Sequence, residues 1–162
     1  MAFIRRNLGI LSFWLICLTA QAEEIEGIII PLEYDRGVFY TEVDINGIPG
    51  RYLVDTGAGR TIISHDVFQA LSELGDLHII GKIKANQADG SALMGTRYVV
   101  KFMKIGRCEI DDIVIAYFDS IDQNILGMSA LDIVSPFIFD TANDRLILTN
   151  CDRISNISPT TP

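Results

Sequence analysis

Short apolar runs, each closed by turn residues, follow one another along most of this chain, and their spacing predicts strands far more often than helices. From Ile25 to Tyr34 the β-branched content favours a strand. Asp35-Arg36-Gly37 then supplies a turn, and Val38 to Ile45 the return strand. Asn46-Gly47 is the strongest hairpin signal, because both residues tolerate the positive φ of a type I′ turn. Ile48 to Val54 is therefore a third strand, and it runs straight into Asp55.

The period then changes. Ser64 can cap a helix in which Val67, Leu71 and Leu74 recur at helical spacing, with Gly75 as its stop. His65, in the first turn, reads as a surface residue. Beyond it the pattern loosens into a long hairpin, in which Ile79 to Ile83 and Tyr98 to Phe102 flank a polar stretch from Asn86 to Ser91, with Asp89-Gly90 near the tip. Small residues (Ala85, Ala88, Ser91, Ala92 and Gly95) fill the arms, which predicts few buried contacts and ready movement. Ile105-Gly106-Arg107 makes another turn, and Ile113 to Phe118 another strand. A loop through Asp119 to Gln123 leads to the short apolar run Ile125-Leu126-Gly127 and a brief helix that Pro136 ends. Phe137 to Phe139 and Leu146 to Thr149 pair across Ala142-Asn143-Asp144. No internal repeat or linker interrupts this, so the expectation is one all-β domain over residues 23–150 with one or two short helices.

The two ends read differently. Within residues 1–22, Arg5 and Arg6 precede the apolar run Leu8 to Leu18, and Ala20-Gln21-Ala22 follows as a small-residue cleavage site, the pattern of a secretory signal peptide. Its apolar core is shorter than the roughly 20 residues a membrane span needs. Cys17 follows Ile16 where a lipidation signal has a small residue, so no lipid anchor is expected. Residues 151–162 form a polar tail, expected to be disordered. A periplasmic or secreted location follows, with membrane contact only through the signal sequence if it stays uncleaved.

Charge and cysteine content narrow the chemistry. The leader carries two positive charges and no negative one, so its loss takes the formal net charge from −8 to −10. That acidity repels phosphate backbones and argues against a nucleic-acid partner. Cys108 and Cys151 remain, free to be a disulfide in an oxidising compartment or two buried thiols. With His65 and His78 far from any Cys or His at ligand spacing, no metal site is expected. Gly-x-Ser-x-Gly, a phosphate-binding loop with Lys and His-Glu-x-x-His are all missing from the sequence. What stands out is a carboxylate: Tyr52-Leu53-Val54 leads into Asp55-Thr56-Gly57, and Thr61-Ile62-Ile63-Ser64 leads out, which mounts Asp55 on a tight turn between two buried strands.

Asp55-Thr56-Gly57-Ala58 in these apolar surroundings resembles the active-site stretch of retropepsin-like aspartic proteases, and Ile125-Leu126-Gly127 resembles the apolar-apolar-Gly element that packs against the catalytic loop in that family. The continuation Met128-Ser129-Ala130-Leu131 is similar to that of bacterial, single-domain members, and the resemblance runs from about Gly27 to Thr149. It implies a closed β-barrel or sandwich with a flap hairpin, a polypeptide substrate and no cofactor. Asp55, Thr56 and Gly57 would be catalytic, with Ala58, Ile125, Leu126 and Gly127 supporting the loop, and Ala88, Asp89 and Gly90 of the flap would bind substrate.

Carboxylate-driven peptide hydrolysis needs two carboxylates sharing a proton. The chain offers one Asp-Thr-Gly, because Asp140-Thr141 is followed by Ala142 in what reads as a hairpin turn. The second carboxylate must then come from another copy, and a two-fold axis beside Asp55 supplies it. In that arrangement Thr56 would brace the two loops, and Gly57 would let them approach and could turn its N–H on the carboxylate. Dimer contacts are expected from the catalytic loop, the flap and the segment Glu23 to Ile30, since the polar C-terminus makes a poor strand. Activity is expected on the acidic side of neutrality. A catalytically inactive peptide-binding module of the same fold is the alternative, and a subunit of a larger exported assembly a third reading.

Overall fold

The computed structural model describes residues 27–86 and 90–151. The leader, the tail beyond Cys151 and the flap residues Ala88 and Asp89 lie outside them. Among the described residues eleven strands run in order: β1 (Ile28–Pro31), β2 (Glu33–Asp35), β3 (Val38–Ile45), β4 (Ile48–Val54), β5 (Ile62–Ile63), β6 (His78–Asn86), β7 (Ala92–Ile105), β8 (Cys108–Tyr117), β9 (Ile125–Leu126), β10 (Phe137–Asp140) and β11 (Arg145–Leu148). Two short helices, α1 (His65–Leu74) and α2 (Met128–Leu131), complete an all-β fold.

The β3–β4 hairpin turns as the sequence predicts, with Asn46 at φ 51° and Gly47 at φ 86°. The predicted strand from Ile25 is different. It is divided at Leu32, whose N–H follows the β1–β11 register to bond Asp144 O at 2.8 Å, whereas Glu33 already pairs with Tyr40 of β3, so that β1 and β2 join separate sheets. β2 opens an eight-stranded sheet of order β2-β3-β4-β9-β5-β8-β7-β6, and the additional pairing of β3 with β7 curls it towards closure. β1 lies against β11 in a three-stranded sheet of order β1-β11-β10. The stretch expected to serve a dimer thus pairs Ile28, Ile29 and Ile30 with Leu148, Ile147 and Leu146 of its own chain. Cys151, at the end of that sheet, is bonded to Cys108 at the start of β8, with the Cα atoms 5.5 Å apart. The residue placed at the head of a loose tail is therefore tied to the core.

Tyr52, Ile45, Met103, Ile105, Ile115, Leu126 and Leu131 are among the side chains that fill the interior. β8 starts five residues earlier than predicted, because Cys108 and Ile110 alternate inward ahead of the exposed pair Asp111-Asp112, which disguises the strand in the sequence. In α1 the Ser64 hydroxyl accepts from Val67 N and Gly75 closes the helix at φ 69°. Its buried face is Val67 and Leu71 with Phe68 beside them, whereas Leu74 is 54% exposed. The helix is too short for a third apolar turn to reach the sheet.

Candidate active site

β4 delivers Asp55 by simple alternation. Tyr52 and Val54 are buried in the core, which leaves Leu53 and Asp55 on the other face. The ladder continues one step beyond the strand, where Asp55 N donates to Leu126 O at 3.1 Å. The chain then turns on itself, with Ala58 N donating to Asp55 O at 3.2 Å. Gly57 N donates to the Asp55 carboxylate at Oδ1, 2.8 Å, fixing the direction of the acid from within its own loop. A Cβ at Gly57 would stand 3.1 Å from that oxygen. Asp55 is half-buried, and Thr56 and Gly57 are exposed at the tip.

A belt of hydrogen bonds holds this loop from below. β9 lies parallel to β4, pairing Leu53 with Ile125 and Val54 with Leu126. Gly127 then passes so close under the loop that a Cβ there would meet Arg60 O at 2.3 Å and Ala58 O at 2.7 Å. Glycine is required by that approach, and its φ of −100° is one any residue adopts. Met128 N donates to Ala58 O at 2.8 Å, and Gly127 N to the buried Thr61 hydroxyl at 3.3 Å. Thr61 N in turn donates to Ser129 Oγ at 2.9 Å. Asp55 through Ala58 and Ile125 through Gly127, far apart in sequence, are thus brought into one structure.

The flap hairpin is more fully formed than its loose sequence suggests. β6 and β7 stay paired up to Asn86 opposite Ala92, leaving Gly90, at φ 84°, on the exposed return from the tip. The expectation of few buried contacts needs correction: Ile83, Ala85 and Leu93 pack on a second apolar cluster, Ile62, Ala116 and Phe118, apart from the main core. Gly95 makes this possible, since a Cβ there would lie 2.6 Å from the Phe118 ring. His65 is exposed as expected, but its Nδ1 is 2.8 Å from Tyr117 Oη, and Phe68 stacks on the Tyr117 ring at 4.0 Å.

The family described as "gag-polyprotein putative aspartyl protease" matches residues 41–132, more than half of the chain and all of the loop-and-belt structure just described. The chain belongs to this aspartyl protease family. A retropepsin-like aspartic protease from Rickettsia conorii, known from a crystal structure, is 28% identical, with 77% of this chain and 100% of that one covered and a TM-score of 0.57. EIAV protease, solved in complex with the inhibitor HBY-793, is 20% identical over 67% of this chain and 99% of that one, with a TM-score of 0.52, a likeness of fold alone. No curated protein matches the sequence.

Three side chains of this aspartyl protease site were not singled out from the sequence. Thr61 and Ser129 supply hydroxyls to the belt, and Asn124 makes three bonds, to β4 and to the cap of α1: its O accepts from Leu53 N at 2.9 Å, its Oδ1 from Ser64 N at 2.7 Å, and its Nδ2 donates to Arg51 O at 3.3 Å. The available signal was a polar residue placed at the border of an apolar run, Thr61 before Ile62-Ile63 and Asn124 before Ile125-Leu126. Asp140, set aside as a turn residue, ends β10 and accepts from Asn143 Nδ2 at 2.8 Å and Arg145 Nε at 2.7 Å. Among the described residues no group of three His, Cys, Asp or Glu side chains is placed to hold a metal ion.

Proposed function

We propose that this chain is an aspartic endopeptidase in which two Asp55 carboxylates, one from each copy of a homodimer, hydrolyse peptide bonds. The observation that carries the reading is Asp55 itself, braced by Gly57 N–H at 2.8 Å and presented on an exposed loop over a closely packed glycine. A turn that merely linked two strands would not need the belt of bonds that Gly127, Thr61 and Ser129 draw under it.

In the reaction one carboxylate is ionised and the other protonated. The first takes a proton from water as its oxygen bonds to the scissile carbonyl carbon, and the second gives its proton to the carbonyl oxygen. Collapse of the tetrahedral adduct then breaks the C–N bond: the amine nitrogen takes up the proton held by the first carboxylate, and one hydroxyl of the adduct returns its proton to the second, which leaves a carboxylic acid and restores the pair. Thr56 and Gly57, exposed at the tip, are the residues that would meet their counterparts across the axis. The flap would cover an extended peptide, with Ala88, Asp89 and Gly90 offering strand-like hydrogen bonds. Export to a periplasmic or extracellular space belongs to the same reading, supported by the leader-like N-terminus and the Cys108–Cys151 bond.

The test is cleavage of a mixed peptide library at several acidic pH values by the mature chain and by Asp55→Asn. The expected outcome is cleavage by the first and a loss of about 10²–10⁴-fold or more in the second. Equal cleavage by both would remove Asp55 from the mechanism, and peptide capture without cleavage would favour the inactive binding module. Sedimentation tests the pairing, because a persistent monomer with full activity contradicts the shared proton.

A further inference from the structure

Charge is divided unevenly over this molecule. All four lysines of the chain lie on β6 and β7, together with Arg97, and none of its 21 acidic residues does. Lys101 and Lys104 are paired close to home, with Asp76 and with Glu109 at 3.0 Å. Lys82 and Lys84 meet no carboxylate among the described residues. The ladder puts both on one face, because Lys82 pairs with Thr96, Lys84 with Met94 and Ile79 with Tyr98, and cross-strand partners share a face. The opposite face carries Ile83, Ala85 and Leu93 onto the Phe118 cluster. On the free face the apolar side chains are bare. Ile79 is 70% exposed and Met94 64%, and Ile80, in the bulge between Ile79 and Gly81, is 43% exposed. From Ile79 to Lys84 this row is about 16 Å long at the usual strand rise.

We propose that this face of the hairpin docks on a membrane surface of anionic lipid, independently of the leader: Lys82 and Lys84 meet the headgroups while Ile79, Ile80 and Met94 enter the acyl boundary. Exposed apolar tips beside unpaired ammonium groups are what an interfacial site needs, because lysine stems lie along apolar surface while their heads reach phosphate. Lys82 already lies along the sheet, its Nζ donating to Thr96 Oγ1 at 2.8 Å. The rest of the chain selects the orientation. Outside these two strands stand all 21 acidic residues and only eight of the 13 basic ones, 13 less the five on β6 and β7, so the remainder of the molecule is repelled by a negative bilayer. An acidic peptide strand added along the free edge of β6 is the competing occupant. The bulge between Ile79 and Gly81 breaks the edge it would need, and Lys82 and Lys84 guard it. The expectation that only the leader meets a membrane is widened accordingly.

Co-sedimentation of the mature chain with phosphatidylglycerol–phosphatidylcholine vesicles, beside vesicles of phosphatidylcholine alone, tests this. Binding is expected to the first at low salt, weakening as salt rises, and not to the second. Lys82→Gln with Lys84→Gln should lower the partition about 10–30-fold, and Ile79→Ser with Met94→Ser about 10-fold. Lys101→Gln removes a lysine already paired with Asp76 and should bind as the wild type does. All five side chains are exposed, so the variants are expected to fold. Equal binding to neutral vesicles overturns the proposal, and so does an absence of binding to anionic ones. A partition unmoved by either double variant overturns it too, as does a loss with Lys101→Gln as large as with Lys82→Gln and Lys84→Gln. Capture of polyglutamate without binding of vesicles assigns the lysines to an acidic polypeptide partner and ends the membrane assignment.

Discussion

Around Asp55 the chain is fixed by backbone and hydroxyl hydrogen bonds drawn round Gly127, whereas the flap hairpin, beyond its own ladder, rests on apolar side chains. The first arrangement fixes direction. Asp55 N, its carboxylate, Ala58 O and Thr61 each have a named partner at 2.8–3.3 Å, and a shift of one atom would cost several bonds together. The second fixes only proximity, since contacts among Ile83, Ala85, Leu93 and Phe118 tolerate sliding. One domain thus carries a rigid mount for the proposed catalytic carboxylate and a hairpin held by contacts that tolerate movement, the division that the proposed lidded site would use.

The strongest challenge to that contrast is Gly127→Val. With Arg60 O 2.3 Å from the new Cβ and Ala58 O at 2.7 Å, the atoms in the way are backbone and cannot rotate aside. We expect a loss of at least about 3 kcal/mol in chemical denaturation, or no folded protein. A variant of near wild-type stability would mean that the belt is looser than its hydrogen bonds imply.

A gentler probe acts on the flap. Gly95→Ala puts a methyl 2.6 Å from the Phe118 ring and from Tyr117 O, and since that carbonyl is backbone the β7–β8 pairing beside Gly95 must shift to admit it. The expected cost is about 1–3 kcal/mol, with faster hydrogen exchange confined to β6 and the paired half of β7. Equal loosening of Asp55 to Thr61 would show that the two regions are one cooperative unit and would break the comparison.

That difference also explains what could be read beforehand. Turns fixed by local chemistry were legible: Asn46-Gly47, the Ser64 cap and the Gly75 stop all depend on residues within one turn of themselves. Asp55-Thr56-Gly57 and Ile125-Leu126-Gly127 were legible as a pair through their resemblance to retropepsin-like aspartic proteases, and the close pass of Gly127 under Ala58 and Arg60 is the contact behind it. The parts not read depend on pairing between distant strands. Leu32 looks like mid-strand until Asp144 takes its N–H, and the small residues of the flap look loose until Phe118 lies over Gly95. Thr61 and Asn124 are ordinary polar residues in one dimension, and their partners lie 60 or more residues away.

Acid gives the smallest and most selective test, because the proposed activity lies below neutrality. The bonds drawn round Gly127 come from amides and hydroxyls, which do not titrate, and the flap cluster is made of apolar side chains. The β10–β11 hairpin does titrate. Asn143 and Arg145 donate to Asp140 and hold its carboxyl below the usual carboxylate range. A carboxyl so depressed contributes stability that is present above its unfolded pKa, roughly 4, and is lost as the pH falls through the folded value. Asp140→Asn should therefore lower the thermal midpoint slightly at pH 6, with the gap to wild type closing as the pH falls below about 4. A gap that stays constant down to strong acid would assign the effect to hydrogen-bond geometry instead of charge. The pH at which the gap closes marks where the charge on Asp140 ceases to support the β10–β11 hairpin.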